Sequence, residues 1–134
     1  MFHRGDFMSG FILKRHSVKE AYFNENSEYE KKNNIEVNVE GGILIPKDFS
    51  ESRKVVVKLD FQFGKEDERI VFALETVSAF EADESLGTDI TEEMVRSECL
   101  PIALTQLRKT VKNVSEAYGR GPIDLPPFDE ENNE

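Results

Sequence analysis

The chain predicts an α+β fold: a four-stranded antiparallel sheet followed by a long helix packed on one of its faces. Three observations carry this. Four segments with strand character precede a single long helical one. Residues 53–63 alternate apolar and polar with a period of two, and residues 90–118 place apolar residues at alternating spacings of four and three. Strands and helix are therefore segregated along the chain.

The first strand is expected over residues 7–23. Its apolar positions do not alternate cleanly: Phe11, Ile12 and Leu13 run together, then Val18, Tyr22 and Phe23. A strand buried on both sides at one end has that pattern. Residues 24–34 are polar and charged and read as a loop. Ile35, Val37 and Val39 then alternate with Glu36, Asn38 and Glu40, as in a half-buried strand. Gly41 and Gly42 permit a bend or bulge before Ile43, Leu44, Ile45 and Pro46.

Residues 47–52 connect to the clearest strand, 53–63, where Val55, Val57, Leu59, Phe61 and Phe63 share a face. Residues 64–68 form a hairpin turn into the fourth strand, 69–81. Ile70, Phe72, Leu74 and Phe80 share one of its faces; Val71, Ala73, Glu75 and Val77 share the other. A sheet covered on one side leaves Val56, Val71, Ala73 and Val77 as a mild apolar outer surface, a candidate interface.

On the helix, Leu100, Leu104, Leu107, Val111, Val114 and Tyr118 make a narrow seam, at the 3.5-residue period that suits a partner helix. Asp89 is placed to cap its start, with Glu92 in the capping-box position. Gly119 can close its end in a left-handed conformation, and Pro122 forbids continuation. Pro101 lies inside the pattern and predicts a kink or break just before it. Residues 121–128 read as an extended return pinned by Ile123, Leu125 and Phe128. The domain spans 1–128, and 129–134 read as an acidic disordered tail.

With 134 residues the chain is one domain by size. It has 27 acidic against 17 basic residues and a formal net charge of -10. Such a surface repels phosphate backbones and anionic lipid, so nucleic acid and membrane surfaces are poor partners; a basic protein is a suitable one. Cys99 is the single cysteine, so no intramolecular disulfide exists, which fits a reducing cytoplasm. No apolar run reaches signal-peptide or membrane-spanning length. A cytoplasmic protein without membrane insertion is expected.

Little in the sequence speaks for catalysis. His3 and His16 lack metal-ligand spacing and read as surface or strand histidines. Cys99 reads as a packing thiol. The Gly119-Arg120-Gly121 triplet follows a helix rather than a strand, and no Gly-Lys-Ser/Thr occurs, so it is a helix stop and not a phosphate loop. Residues 83–89 are acidic, but Gly87 and Met94 stand in the wrong positions for a calcium loop. Glu92 and Glu93 sit where carboxylates favour the helix dipole. A non-enzymatic protein without cofactor or metal is expected.

Several strings resemble the SecB family of protein-export chaperones. Residues 13–23 are similar to the family's first strand, with Arg15, Lys19, Glu20 and Phe23 in step. Phe72-Ala73-Leu74-Glu75 resembles the start of its fourth strand, residues 99–108 a stretch of its first long helix, and residues 123–128 its proline-bearing return. The family's second helix is replaced by the short acidic tail; Asn24, Ala73, Thr105 and Gln106 also depart from the pattern. The resemblance implies protomers pairing through the first strand into homo-dimers, and dimers into homo-tetramers through the helices. It implies an interface at Leu74, Leu100, Leu104, Leu107, Val111 and Val114.

The same resemblance implies a holdase for unfolded or precursor proteins that passes them to the translocase motor ATPase without nucleotide of its own. Glu20 and Glu75 match acids that dock the motor. Phe72 matches an aromatic of the client groove, with Phe61 and Phe63 as neighbours; the alternative is that all three are plain sheet core. A second reading of the whole is a module of the same fold for one specific partner, such as a toxin, an antitoxin or a regulatory protein.

Overall fold

In a computed structural model the described residues of the chain form four strands and one long helix. The structure describes residues 10–23, 37–63, 72–119 and 125. The strands are β1 (Phe11–Phe23), β2 (Val37–Leu44), β3 (Lys54–Phe63) and β4 (Phe72–Ala82). A 3-10 turn, Glu84–Leu86, leads to helix α1 (Glu92–Ala117). The sheet is antiparallel in the order β1-β4-β3-β2, so β1 and β2 are its edges. The expected loop 24–34, the hairpin turn 64–68, Ile35, Ile70, Val71, most of the return and the acidic tail lie outside the described residues.

β3 and β4 alternate as the period of two demands. Val55, Val57, Leu59 and Phe61 of β3 and Phe72, Leu74, Phe80 and Ala82 of β4 are buried under α1. The inner face of β4 also carries Thr76 and Ser78, both fully buried, where the sequence shows a gap in the apolar pattern.

β1 departs from the expected double-sided burial. Ile12 is 48 % exposed, so only one side is covered. The broken alternation comes from two register shifts against β4, between Leu13 and Arg15 and between Val18 and Glu20. Each shift inserts one residue, Lys14 and Lys19, and resets which parity faces inward. The inner-face series becomes Phe11, Leu13, His16, Val18, Ala21 and Phe23.

β2 runs unbroken through both glycines, without a bulge. Gly41 is opposite Leu59 in the β3 register, and a Cβ there would lie 2.6 Å from the Leu59 side chain and 2.7 Å from the Lys58 carbonyl. Gly42, on the other side, has open space around it. One glycine is required by close approach; the other is not.

The helix also runs through Pro101 without a break. Pro101 and Ser97, whose carbonyl loses its partner to the missing N–H, are both exposed, so water can take the bond. The cap is Thr91 rather than Asp89: its hydroxyl accepts from the Met94 N–H at 3.2 Å. Ile90 and Val95 then occupy the positions of a hydrophobic staple, and both join the core. The helix ends as expected, with Gly119 at φ 77°.

The buried stripe on α1 rises in steps of four: Val95, Cys99, Ala103, Leu107, Val111 and Ser115, with Leu104 beside it. Three of these are small, which brings the helix close to the sheet. Leu100 and Val114 of the expected seam are half-buried at its margins, and Tyr118 is 57 % exposed. Beyond the helix, Leu125 is buried in the same core, and Arg108 Nε donates to its carbonyl at 3.1 Å.

Phe49 closes the lower end of the core from the 47–52 connection, where the sequence pattern predicts only a linker. Arg53 ties that end together. Its guanidinium donates to the carbonyls of Ala82 at 3.1 Å, Phe49 at 3.2 Å, Gly87 at 2.8 Å and Asp83.

Candidate functional site

The three aromatic candidates sit at the end of the sheet beside the helix C-terminus. Phe61 and Phe72 are both fully buried and meet edge to face with ring centroids 5.6 Å apart. Phe63 is half-buried at the margin of the core. Phe23, absent from the candidates, completes the group: it stacks on Phe72 at 4.1 Å and on Tyr118 at 4.3 Å. A ladder of rings therefore runs from the sealed core, through Phe72 and Phe23, to the exposed Tyr118. The inward resetting of β1 by its second bulge is what brings Phe23 into line.

Glu20 and Glu75 are brought together directly: they are register partners across β1 and β4, on the outer face. The row continues. Asp60 of β3 is opposite Glu75, and Glu40 of β2 is opposite Asp60. One carboxylate from each of the four strands thus lines up across the sheet, at the strand spacing of roughly 4.8 Å. No ion pair among the described residues neutralises any of the four. Like charges directly opposite destabilise a sheet, so this row is maintained against its own repulsion. It borders an open hollow of about 580 Å³ that Tyr22, Asn38 and Gln62 also line. Asp60 and Glu40 were out of reach of sequence reasoning, because only the strand register joins positions so far apart in the chain.

Of the expected interface residues, Leu74, Leu104, Leu107 and Val111 are buried against the protomer's own sheet and helix. Leu100 and Val114 keep partial exposure. On the outer face, Val56, Ala73 and Val77 are half-buried, while Ile12, Tyr22 and Leu44 stand out as exposed large side chains.

Two further titratable groups are tied into the structure, Cys99 and His16. Cys99 is fully buried, and burial, with Glu98 adding to it, pushes its thiol up to about 12, which keeps it protonated and unreactive. His16 is a bridge rather than a surface histidine: Nδ1 lies 2.8 Å from Ser78 Oγ and Nε2 2.9 Å from Thr110 Oγ1. Among the described residues no group of three or more His, Cys, Asp or Glu could hold a metal ion, and no helix is long and apolar enough to cross a membrane.

No family model matches the sequence, and no curated protein is detectably similar to it. Solved structures do match. The fold is that of the Mycobacterium tuberculosis Rv1957 SecB-like chaperone, solved in complex with a ChAD peptide from the Rv1956 HigA1 antitoxin. The TM-score is 0.57 at 12% identity, over 89% of this chain and 91% of that one. A Streptococcus agalactiae protein of unknown function matches at TM-score 0.39 and 16% identity, over 87% and 96% of the two chains. The four-stranded antiparallel sheet with one long helix across it is thus a SecB-like fold.

Proposed function

We propose that this chain binds polypeptides, as a SecB-like holdase for non-native chains. The observation that carries the reading is the SecB-like fold, shared with a chaperone that was solved holding a peptide. Two features of the surface support it. Phe63, Phe23 and Tyr118 offer partly exposed aromatic area at one end of the sheet, backed by the buried Phe61 and Phe72. The outer face presents the acidic row of Glu20, Glu75, Asp60 and Glu40, which suits a basic protein such as a translocase motor ATPase that would take over the client. Homo-dimers or homo-tetramers would form with Leu100 and Val114 of α1 at the protomer contact.

One observation favours a narrower reading: the neighbour's peptide comes from an antitoxin, so a module dedicated to one regulatory partner has the same structural support. Promiscuity separates the two. The purified protein is mixed with several unrelated denatured proteins and their aggregation followed by light scattering. Suppression of most of them supports the holdase; failure with all of them sinks it and leaves the single-partner module. In the holdase, Phe63→Ala weakens client binding at modest cost to folding. Phe72→Ala instead costs about 3–5 kcal/mol of stability, as for any buried phenylalanine.

A further inference from the structure

His16 of β1 bonds through one ring nitrogen to Ser78 of β4 and through the other to Thr110 of α1, and these hydrogen bonds define its state. Thr110 Oγ1 donates its proton to the Gln106 carbonyl at 2.8 Å. Its oxygen is therefore left to accept, and the imidazole must donate from Nε2. In the neutral ring Nδ1 is then an acceptor, and the Ser78 hydroxyl is its donor. The neutral Nε2–H tautomer satisfies every group in this chain of four. Ser78 stands directly opposite His16 in the β1–β4 register, and both face inward.

Protonation breaks this arrangement. The imidazolium donates from both nitrogens, so Ser78 must turn round and accept. Its own proton then has no partner in a site where Ser78 is 1 % exposed and the neighbouring Thr76 hydroxyl already lacks one. Among the described residues nothing nearby compensates the charge. On β4 the inner-face neighbours are Thr76 and Phe80; on α1 the facing turns carry Gln106, Leu107, Thr110 and Val114; on β1 Leu13 and Val18 flank the ring. The charged groups beside it on β1 are placed away from the ring: Arg15 is opposite Ala79 on the outer face, and Lys14 pairs with Glu81 at 3.6 Å. On α1, Lys109 and Lys112 are exposed.

We propose that His16 is a pH-sensitive latch: neutral, it fastens α1 to the edge strand β1; protonated, it releases that side of the helix from the sheet. Other contacts also join these elements: Phe23 stacks on Tyr118 at the helix end, and the Gly10 N–H just before β1 donates to Glu98 Oε1 at 3.2 Å, twelve helix residues from Thr110, and holds the far end. Burial holds the His16 pKa below its ordinary 6.5. The unfolded chain therefore takes up this proton before the native one as the pH falls. The latch is fully effective above about pH 6.5, weakens as pH falls towards the native pKa, and loses nothing further below it.

The test uses the full chain carrying His3→Gln, so that His16 is the sole histidine. Nitrogen NMR of the ring reads the tautomer and the titration. The expected result is a proton on Nε2 at neutral pH and a midpoint below 6.5. Amide hydrogen exchange, corrected for its intrinsic pH dependence, should speed up several-fold in α1 around Thr110 and in β1 around His16 between pH 7 and pH 5. Adding His16→Gln, which keeps a donor for Thr110 but cannot titrate, should abolish that acceleration. A ring that is protonated on Nδ1 at neutral pH, a midpoint at or above 6.5, or equal acceleration in the His16→Gln protein would each overturn the latch. The ring titration needs no His16 variant, so the proposal is decided even if that variant fails to fold.

Discussion

Arg53 shows how much of the fold a single side chain can organise. It precedes β3, yet it gathers four carbonyls from the 47–52 connection, the end of β4 and the turn that leads to α1. A planar guanidinium can serve all of them at once; an ammonium cannot. Arg53→Ala is expected to cost about 2–3 kcal/mol by denaturant titration, since bonds to a charged donor are lost and water repays part of them. Arg53→Lys should recover less than half of that loss. Full recovery by lysine would mean that charge, not the fork of donors, does the tying. Sequence gave no sign of this residue, because its partners are all main-chain atoms. His16 was hidden for a different reason: a bulge resets the parity of β1 and turns inward a residue that simple alternation leaves outside.

At the scale of elements, β2 offers a paired test of strand packing. A methyl group at Gly41 would press on Leu59 and the Lys58 carbonyl, whereas at Gly42 it would meet nothing. Gly41→Ala should therefore destabilise the protein by about 1–3 kcal/mol through overpacking. Gly42→Ala should be neutral or stabilise by up to about 1 kcal/mol, because it narrows the unfolded ensemble. Thermal melts of the two proteins check the contrast, and equal effects would refute the assigned register. Elements were legible where one period dominates: β3, β4 and α1 match the expected spans to within a few residues. The glycine pair in β2 brings no bulge and Pro101 in α1 no break, although both residue types favour one. Local propensity disfavours both, and pairing with β3 and packing on the sheet override it. The acid row was half legible: Glu20 and Glu75 follow from resemblance, Glu40 and Asp60 only from register.

For the whole molecule the question is why a chain of net charge -10 concentrates four carboxylates in one line across an exposed sheet. Spread over the surface, they would serve solubility with less repulsion. Aligned, they create a focused field that raises the local concentration of a cationic partner and orients it. Glu75 is the informative position, because it faces like charge on both sides, Glu20 on β1 and Asp60 on β3. Removing its charge relieves two repulsive pairs at once. Glu75→Gln is expected to raise stability by about 0.5–1 kcal/mol at low salt. The gain should shrink as ionic strength rises and the row is screened. The same variant should bind a lysine-rich peptide more weakly than the parent, with a shallower dependence on salt. Gain of stability with loss of binding is the signature of a site held in place for a partner. A Glu75→Gln protein that is no more stable, or that binds the basic peptide as tightly as before, would reduce the row to a solvated face of the sheet.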